Sequence, residues 1–216
     1  MTKAILLFSG GIDSTVALFW TLSKGWEIVP ISVNYKGRPR AERKAVKVIL
    51  EKAKVDNLIE IPLDFMMDVN HLKAVQIHPP NLVDAPPSYI PARNMMYYSI
   101  AAYFAEILQA NVIVGGHNQS DPQEFPDSSA KFFRRMGILF EEGLRSFQKN
   151  PVRILLPLSR YSKAQVIRLG MRIGAPLDLT WSCEQDGKQQ CGTCSSCLDK
   201  EKTMANLKAS TSGPSK

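Results

Sequence analysis

Two groups of residues in this 216-residue chain have the types and spacing for chemistry. The first is Ser9-Gly10-Gly11-Ile12-Asp13-Ser14, which follows the apolar run Ala4 to Phe8 and precedes a helical pattern at Val16, Leu18, Phe19 and Leu22. Two glycines let the backbone approach an anion, the helix N-terminus offers unpaired N–H groups and positive dipole, and Ser9 and Ser14 add hydroxyl donors. The segment Phe8 to Ser14 is therefore expected to cradle phosphate. It is neither G-x-x-x-x-G-K-[ST], since no lysine follows, nor the dinucleotide fingerprint G-x-G-x-x-G. Asp13 would repel a polyphosphate, so it either caps the helix or meets the phosphate through Mg²⁺.

The second group is Cys183, Cys191, Cys194 and Cys197, all in the last sixth of the chain. Disulfides between such close neighbours have poor geometry, whereas tetrahedral thiolate coordination wants ligands on short turns. Gly192 and the small residues Thr193, Ser195 and Ser196 suit those turns. The spacing predicts a four-cysteine zinc site, with an iron–sulfur cluster as the rival. With all four thiols bound, none is left for covalent catalysis.

The elements that position these groups follow from apolar patterning. Strands are expected at Ala4 to Phe8, Ile28 to Tyr35, Leu58 to Leu63, Val112 to Val114 and Ile154 to Leu156. Helices are expected after Gly11 and over Ala41 to Ala53, Asn94 to Leu108, Ala130 to Phe147 and Ser162 to Ile173. The helix from Asn94 is apolar on nearly every side and is expected to be buried against more than one neighbour. Asp64 to Pro91 holds too many prolines for regular structure along its whole length. The alternation predicts a doubly wound α/β fold with a five-stranded parallel sheet. Its domains would be an α/β unit over residues 1–180, a zinc-binding segment over 181–208 packed on it, and a flexible tail over 209–216. Ligands sit beyond the C-terminal strand ends in such folds, which selects Ser9 to Ser14, Asn34 to Arg38, Tyr89 to Asn94 and Gly115 to Ser128.

A composition of 44% hydrophobic and 22% charged residues excludes disorder and fibrous repeats. No apolar run approaches the ~20 residues of a membrane helix, and the N-terminus lacks a signal-peptide core, so the expectation is a cytoplasmic enzyme without a membrane partner. The net charge of +7 favours phosphate-bearing partners. Its densest cluster, Lys36, Arg38, Arg40, Arg43, Lys44 and Lys47, is either a phosphate-facing patch or a solvated helix face.

S-G-G-x-D-S after the first strand resembles the PP-loop ATP pyrophosphatases, and within them the chain is similar to the QueC family of 7-cyano-7-deazaguanine synthases. The likeness rests also on Asn34-Tyr35, Gly37-Arg38, Glu42, Ile90-Pro91-Ala92-Arg93-Asn94, Phe125-Pro126-Asp127 with Phe132, Ser162-Lys163-Ala164 and the cysteine pattern. The family pattern commonly has Gly where Ala92 stands and Cys where Ser128 stands. The resemblance implies ATP, Mg²⁺ and structural zinc, with 7-carboxy-7-deazaguanine and ammonia as substrates, in queuosine or archaeosine precursor synthesis. It also implies a homo-oligomer, a dimer, with no stable nucleic-acid partner. A tRNA-modifying PP-loop enzyme such as a sulfurtransferase, with an iron–sulfur centre, is the alternative.

Under that reading Asp13, Arg93 and Lys163 are the catalytic candidates. Arg suits a bidentate grip on phosphate or carboxylate and Lys a point contact. A guanine-like ring needs carboxylate acceptors, for which Asp121 and Asp127 are the right types, and Phe125 or Tyr35 could stack on it. Asn94 completes the substrate set beside Arg93. Of the three histidines, only His117 follows a strand's C-terminal end.

Overall fold

Ala4, Ile5 and Leu6 are wholly buried because Lys3–Leu7 (β1) lies in the middle of a sheet covered on both faces. The structure is a computed structural model that describes residues 1–211, and side chains as far as Leu207. The other strands are Glu27–Lys36 (β2), Ile59–Met67 (β3), Val112–Val114 (β4) and Arg153–Leu155 (β5). All neighbours pair in parallel, in the order β3-β2-β1-β4-β5. Ile5 stands opposite Val29 on one side and Ile113 on the other.

The helices, in chain order, are Ile12–Leu22 (α1), Arg40–Ala53 (α2), Val69–Ala74 (α3), Arg93–Ile107 (α4), Asp121–Glu124 (α5), Ala130–Gly143 (α6), Lys163–Arg172 (α7) and Ser195–Thr211 (α8). Successive side chains of a strand point to opposite faces, so β1 feeds two apolar layers. Ala4 and Leu6 pack with Val16 and Leu18 of α1, Val46 and Ile49 of α2, and Val166 and Ile167 of α7. Ile5 packs on the other face with Tyr98, Ala101 and Ala105 of α4 and Phe133, Met136 and Phe140 of α6. At ~25 cal/mol per Å² these two layers are the main stabilising term. The strand order reverses between β1 and β4, and the crevice at their C-terminal ends is where such a sheet binds ligands.

The doubly wound five-stranded sheet is as the sequence predicts, and the departures have local causes. β3 runs on to Met67 and α3 follows at once, because Asp68 caps that helix by accepting a hydrogen bond from His71 N–H at 2.8 Å. Regular structure thus enters the proline-rich segment as far as Ala74. α6 stops at Gly143 rather than Phe147, and β5 starts one residue early. α4 is not buried all round: Met95, Tyr103 and Ile107 are 52%, 59% and 56% exposed along one side. Its small residues Ala101, Ala102 and Ala105 face the sheet instead and allow close approach. After the cysteines the chain forms α8, whose buried Leu207 joins the layer of α1 and α7. α8 reaches Thr211, into the start of the expected tail, and residues 212–216 lie outside those described.

Candidate active site

The loop Phe8 to Ser14, the candidate phosphate loop, is shaped by a contact that Gly10 permits. Gly10 has φ +86°, and a Cβ there would lie 3.0 Å from Val46 N and 3.1 Å from Glu42 O, so the loop packs directly on the α2 backbone. Gly11 is the N-cap of α1 with no side-chain cap of its own. Ser9 Oγ accepts from Gly11 N–H at 3.3 Å and lies 3.1 Å from Ser14 Oγ, which donates to Gly11 O at 3.1 Å. These hydroxyls and the first-turn N–H groups line a cavity of about 430 Å³, within the ~300–1,000 Å³ usual for small-molecule sites. Phe8, Ser9, Gly11, Ile12, Asp13 and Ser14 face it, while Gly10 is turned into the α2 contact.

Asp13 does not cap α1. Its carboxylate accepts from Lys163 Nζ at 2.5 Å, and Asn118 Nδ2 stands 3.5 Å from the other oxygen. Lys163 reaches it because a reciprocal cap starts α7: Ser162 Oγ accepts from Gln165 N–H at 3.4 Å, and Gln165 Oε1 accepts from Ser162 N–H at 2.8 Å. Burial disfavours the Lys163 ammonium, but the Asp13 charge and hydrogen bond outweigh it and raise its pKa. Gly116, after β4, closes the loop from the other side: a Cβ there would sit 2.8 Å from Ser14 N and 2.9 Å from the Asp13 carbonyl carbon.

The sequence placed Arg38 in a basic cluster, at a strand end and in the family likeness, but gave its side chain no role. Its neighbours in that cluster, Lys36, Arg40, Arg43, Lys44 and Lys47, are exposed, but Arg38 is 7% exposed. Its guanidinium donates to Ser32 Oγ (3.0 Å), Val33 O (2.7 Å), Asn34 Oδ1 (3.0 Å), Ser9 O (2.8 Å) and Glu42 Oε1 (3.2 Å). One side chain thereby ties the end of β2, the phosphate loop and α2 together. Glu42 is raised above the usual carboxylate value by burial, against the pull of Arg38 and Arg93. Burial also raises the phenols of Tyr35 and Tyr97, the latter to about 12, so both remain hydroxyl donors on the cavity wall.

The loop after β4 divides the two aspartates. Asp121 faces the cavity; its Oδ2 accepts from Asn118 N–H at 3.1 Å and lies 3.5 Å from His117 Nδ1. Asp127 does not line the cavity. Its Oδ2 accepts from Asn94 N–H at 2.9 Å and its Oδ1 from Asn94 Nδ2 at 3.2 Å, which anchors the first turn of α4. That turn aims Arg93 across the cavity with its guanidinium carbon 4.9 Å from the Phe125 ring centroid. Ala92, just before it, has φ +54°, a left-handed conformation that favours glycine. Ser128 is buried and donates its hydroxyl to Phe125 O at 2.6 Å.

The cysteine segment borders the same cavity through Cys183, the one cysteine of the four that lines it. Their sulfurs all lie within 4.8 Å of one another, with Cys191–Cys197 at 3.9 Å and Cys183–Cys194 at 4.0 Å, and no disulfide joins them. Four thiolates ~2.3 Å from one tetrahedral ion would be separated by ~3.8 Å, so this spacing fits a single ion. Backbone N–H groups of Cys191 and Gln185 point at Cys183 Sγ (3.3 and 3.4 Å), and those of Cys194 and Thr193 at Cys191 Sγ (3.3 and 3.4 Å), as thiolates require. The Thr193 hydroxyl and these N–H groups lower the Cys191 thiol to about 6. Trp181 N–H donates to Gly10 O at 3.1 Å and its buried indole N–H has no protein partner. Trp181, Cys183, Glu184, Ser196 and Lys200 contribute to the cavity wall. No sequence signal places Trp181 or Lys200 there.

A parallel α/β sheet with a phosphate loop at its switch point, opposed by lysine and arginine, defines a nucleotide-dependent group-transfer fold. Residues 3–208 match the family model described as "Queuosine biosynthesis protein QueC", and the chain belongs to that family. The 7-cyano-7-deazaguanine synthase of Picrophilus torridus is 35% identical over 92% of this chain and 85% of its own length. That of Acetivibrio thermocellus is 34% identical over 92% and 90%. Among solved structures, the U34-tRNA thiolase NcsA of Methanococcus maripaludis, with its [4Fe-4S] cluster, superposes with a TM-score of 0.51 over 98% of this chain and 67% of its own, at 17% identity, a likeness of fold alone. Among the described residues no helix is long and apolar enough to cross a membrane.

Proposed function

We propose that this protein is an ATP-dependent 7-cyano-7-deazaguanine synthase, turning the carboxylate of 7-carboxy-7-deazaguanine into a nitrile with ammonia. The observation that carries the reading is that the phosphate loop, Lys163, Arg93 and the cysteine segment share one cavity in a chain of the QueC family. A carboxylate is a poor electrophile, so AMP transfer to one oxygen, releasing pyrophosphate, makes that oxygen a leaving group. Ammonia displaces AMP to give the amide, a proton departing to solvent. A second adenylation of the amide oxygen, with loss of AMP and a proton, gives the nitrile. No side-chain nucleophile is required, and the protein's work is placement and charge stabilisation.

The loop N–H groups with Ser9 and Ser14 would hold the phosphates, and Asp13 would hold Mg²⁺ against them. Lys163 and Arg93 would neutralise charge that develops as the α–β bond breaks. Tyr35 and Phe125 would flank the deazaguanine ring, and Asp121 would accept from its pairing edge. Asn94 and Asp127 would support that pocket by fixing the turn that carries Arg93. Zinc is the ion that four cysteines at this spacing suit, and it would brace the wall they form. The exposed Met95, Tyr103 and Ile107 supply an apolar face for a homodimer.

The test is a product assay by mass spectrometry with ATP, Mg²⁺, ammonium and 7-carboxy-7-deazaguanine. Appearance of the nitrile with AMP and pyrophosphate is the expected result. ATP binding without turnover of this carboxylate would keep the adenylating fold and overturn the substrate.

A further inference from the structure

The cavity contains a second lysine that none of the above uses. Lys200 stands on the second turn of α8, three residues after Cys197, and lines the cavity together with Lys163 and the phosphate loop. It is half-buried, and among the described residues it has neither an ion-pair partner nor a hydrogen bond. Burial disfavours its ammonium, which is attracted by Cys197 and repelled by Lys163. Lys163 is already neutralised by Asp13, and Asp199, which also borders the cavity, is exposed to water. A partly desolvated cation with a second lysine beside it and no carboxylate bonded to it favours an anionic ligand in the cavity. The same cavity is lined by Ser9, Ser14 and the first turn of α1, donors that bind the same kind of anion.

We infer that Lys200 is a second phosphate-binding residue, gripping the β and γ phosphates of ATP and the pyrophosphate they become. The inference rests on the nucleotide reading of the cavity and gives the cysteine segment a part in binding as well as in bracing. Lys200 has its place because α8 starts between the ligands Cys194 and Cys197, so whatever ion they hold fixes the turn that aims it.

The experiment is calorimetric titration of the intact protein with Mg²⁺-pyrophosphate and Mg²⁺-ATP, in the wild type, Lys200→Met and Lys200→Arg. Metal content and melting temperature are measured on each. Loss of one charge-assisted contact is expected to weaken pyrophosphate binding roughly tenfold or more in Lys200→Met, with metal content unchanged. Lys200→Arg should recover most of it. Should Met alter melting or metal content, Lys200→Gln is the second variant and is expected to show the same loss. Unchanged pyrophosphate affinity in the Met or Gln variant, or a loss that Arg does not recover, overturns the inference while leaving the nucleotide reading in place. Failure of the wild type to bind ATP or pyrophosphate would instead overturn the nucleotide reading, and this inference with it.

Discussion

Replacing Arg38 with methionine keeps the length of the side chain and removes the group that joins β2, α2 and the phosphate loop. Five acceptors would lose their donor: Ser32 Oγ, Val33 O, Asn34 Oδ1, Ser9 O and Glu42 Oε1. The side chains of Arg38 and Glu42 are 2% and 17% exposed, so the broken pair is largely out of water. Breaking a buried pair by deleting one member costs about 3–5 kcal/mol, which for a chain of this size lowers the melting temperature by roughly 10 °C. Glu42 adds a pH signature. Its folded pKa is raised, mainly by burial, so the folded state holds its proton at pH values where the unfolded state has released it. That contribution to stability is complete below the ordinary value of 4.5 and is lost as pH rises through the folded value. Without Arg38 the carboxyl is raised further, so the cost of the substitution should grow as pH rises above the ordinary carboxylate value. Urea unfolding of both proteins at several pH values measures this, and Glu42→Gln should remove the pH dependence of the difference. A cost below about 1 kcal/mol, or one indifferent to pH, would refute the view that Arg38 is a buried charged tie rather than one more surface cation.

Asp13→Asn should lower melting, because Lys163 loses its partner, yet keep the fold, and reduce pyrophosphate release by at least about a thousandfold if Asp13 is the proposed Mg²⁺ ligand. Gly116→Ala forces a Cβ against Ser14 N and the Asp13 backbone; overpacking of this kind costs about 1–3 kcal/mol, and KM for ATP, measured by pyrophosphate release, should rise because the contact is with the loop itself. Ala92→Gly relieves a φ of +54° and should raise stability by up to about 1 kcal/mol in urea unfolding. Cys194→Ser should lower bound metal and melting temperature together, and a metal-free variant with unchanged melting would show the quartet is not a metal site.

The sheet and the strand–turn–helix around Ser9 to Ser14 were legible because their signals are local. An apolar run, two glycines and an amphipathic helix within Ala4 to Leu22 specify a strand, a turn and a helix N-terminus without reference to the rest of the chain. The cysteine quartet was legible for the same reason, since ligand spacing along one short segment carries the geometry. Arg38 was not, because composition cannot say which of six clustered cations turns inward; that depends on the bend between β2 and α2. The separation of Asp121 from Asp127 was hidden likewise. Both sit in one acidic turn, and only the docking of α4 makes Asp127 an anchor for Asn94. Ala92 carries the most compressed lesson, for its departure from glycine marks a residue held at positive φ.

The pairing of Lys163 with Asp13 joins residues 150 apart in sequence, and Trp181 closes on Gly10 from further still. Contacts of such long range are slow to form and come late in folding. A chain emerging from the ribosome would therefore carry its phosphate loop without the part of the wall that Trp181, Cys183 and Lys200 supply until the last sixth of the sequence had been made. A nascent chain stopped short of the cysteines would thus hold an open cleft at its phosphate loop where the finished chain has a walled cavity.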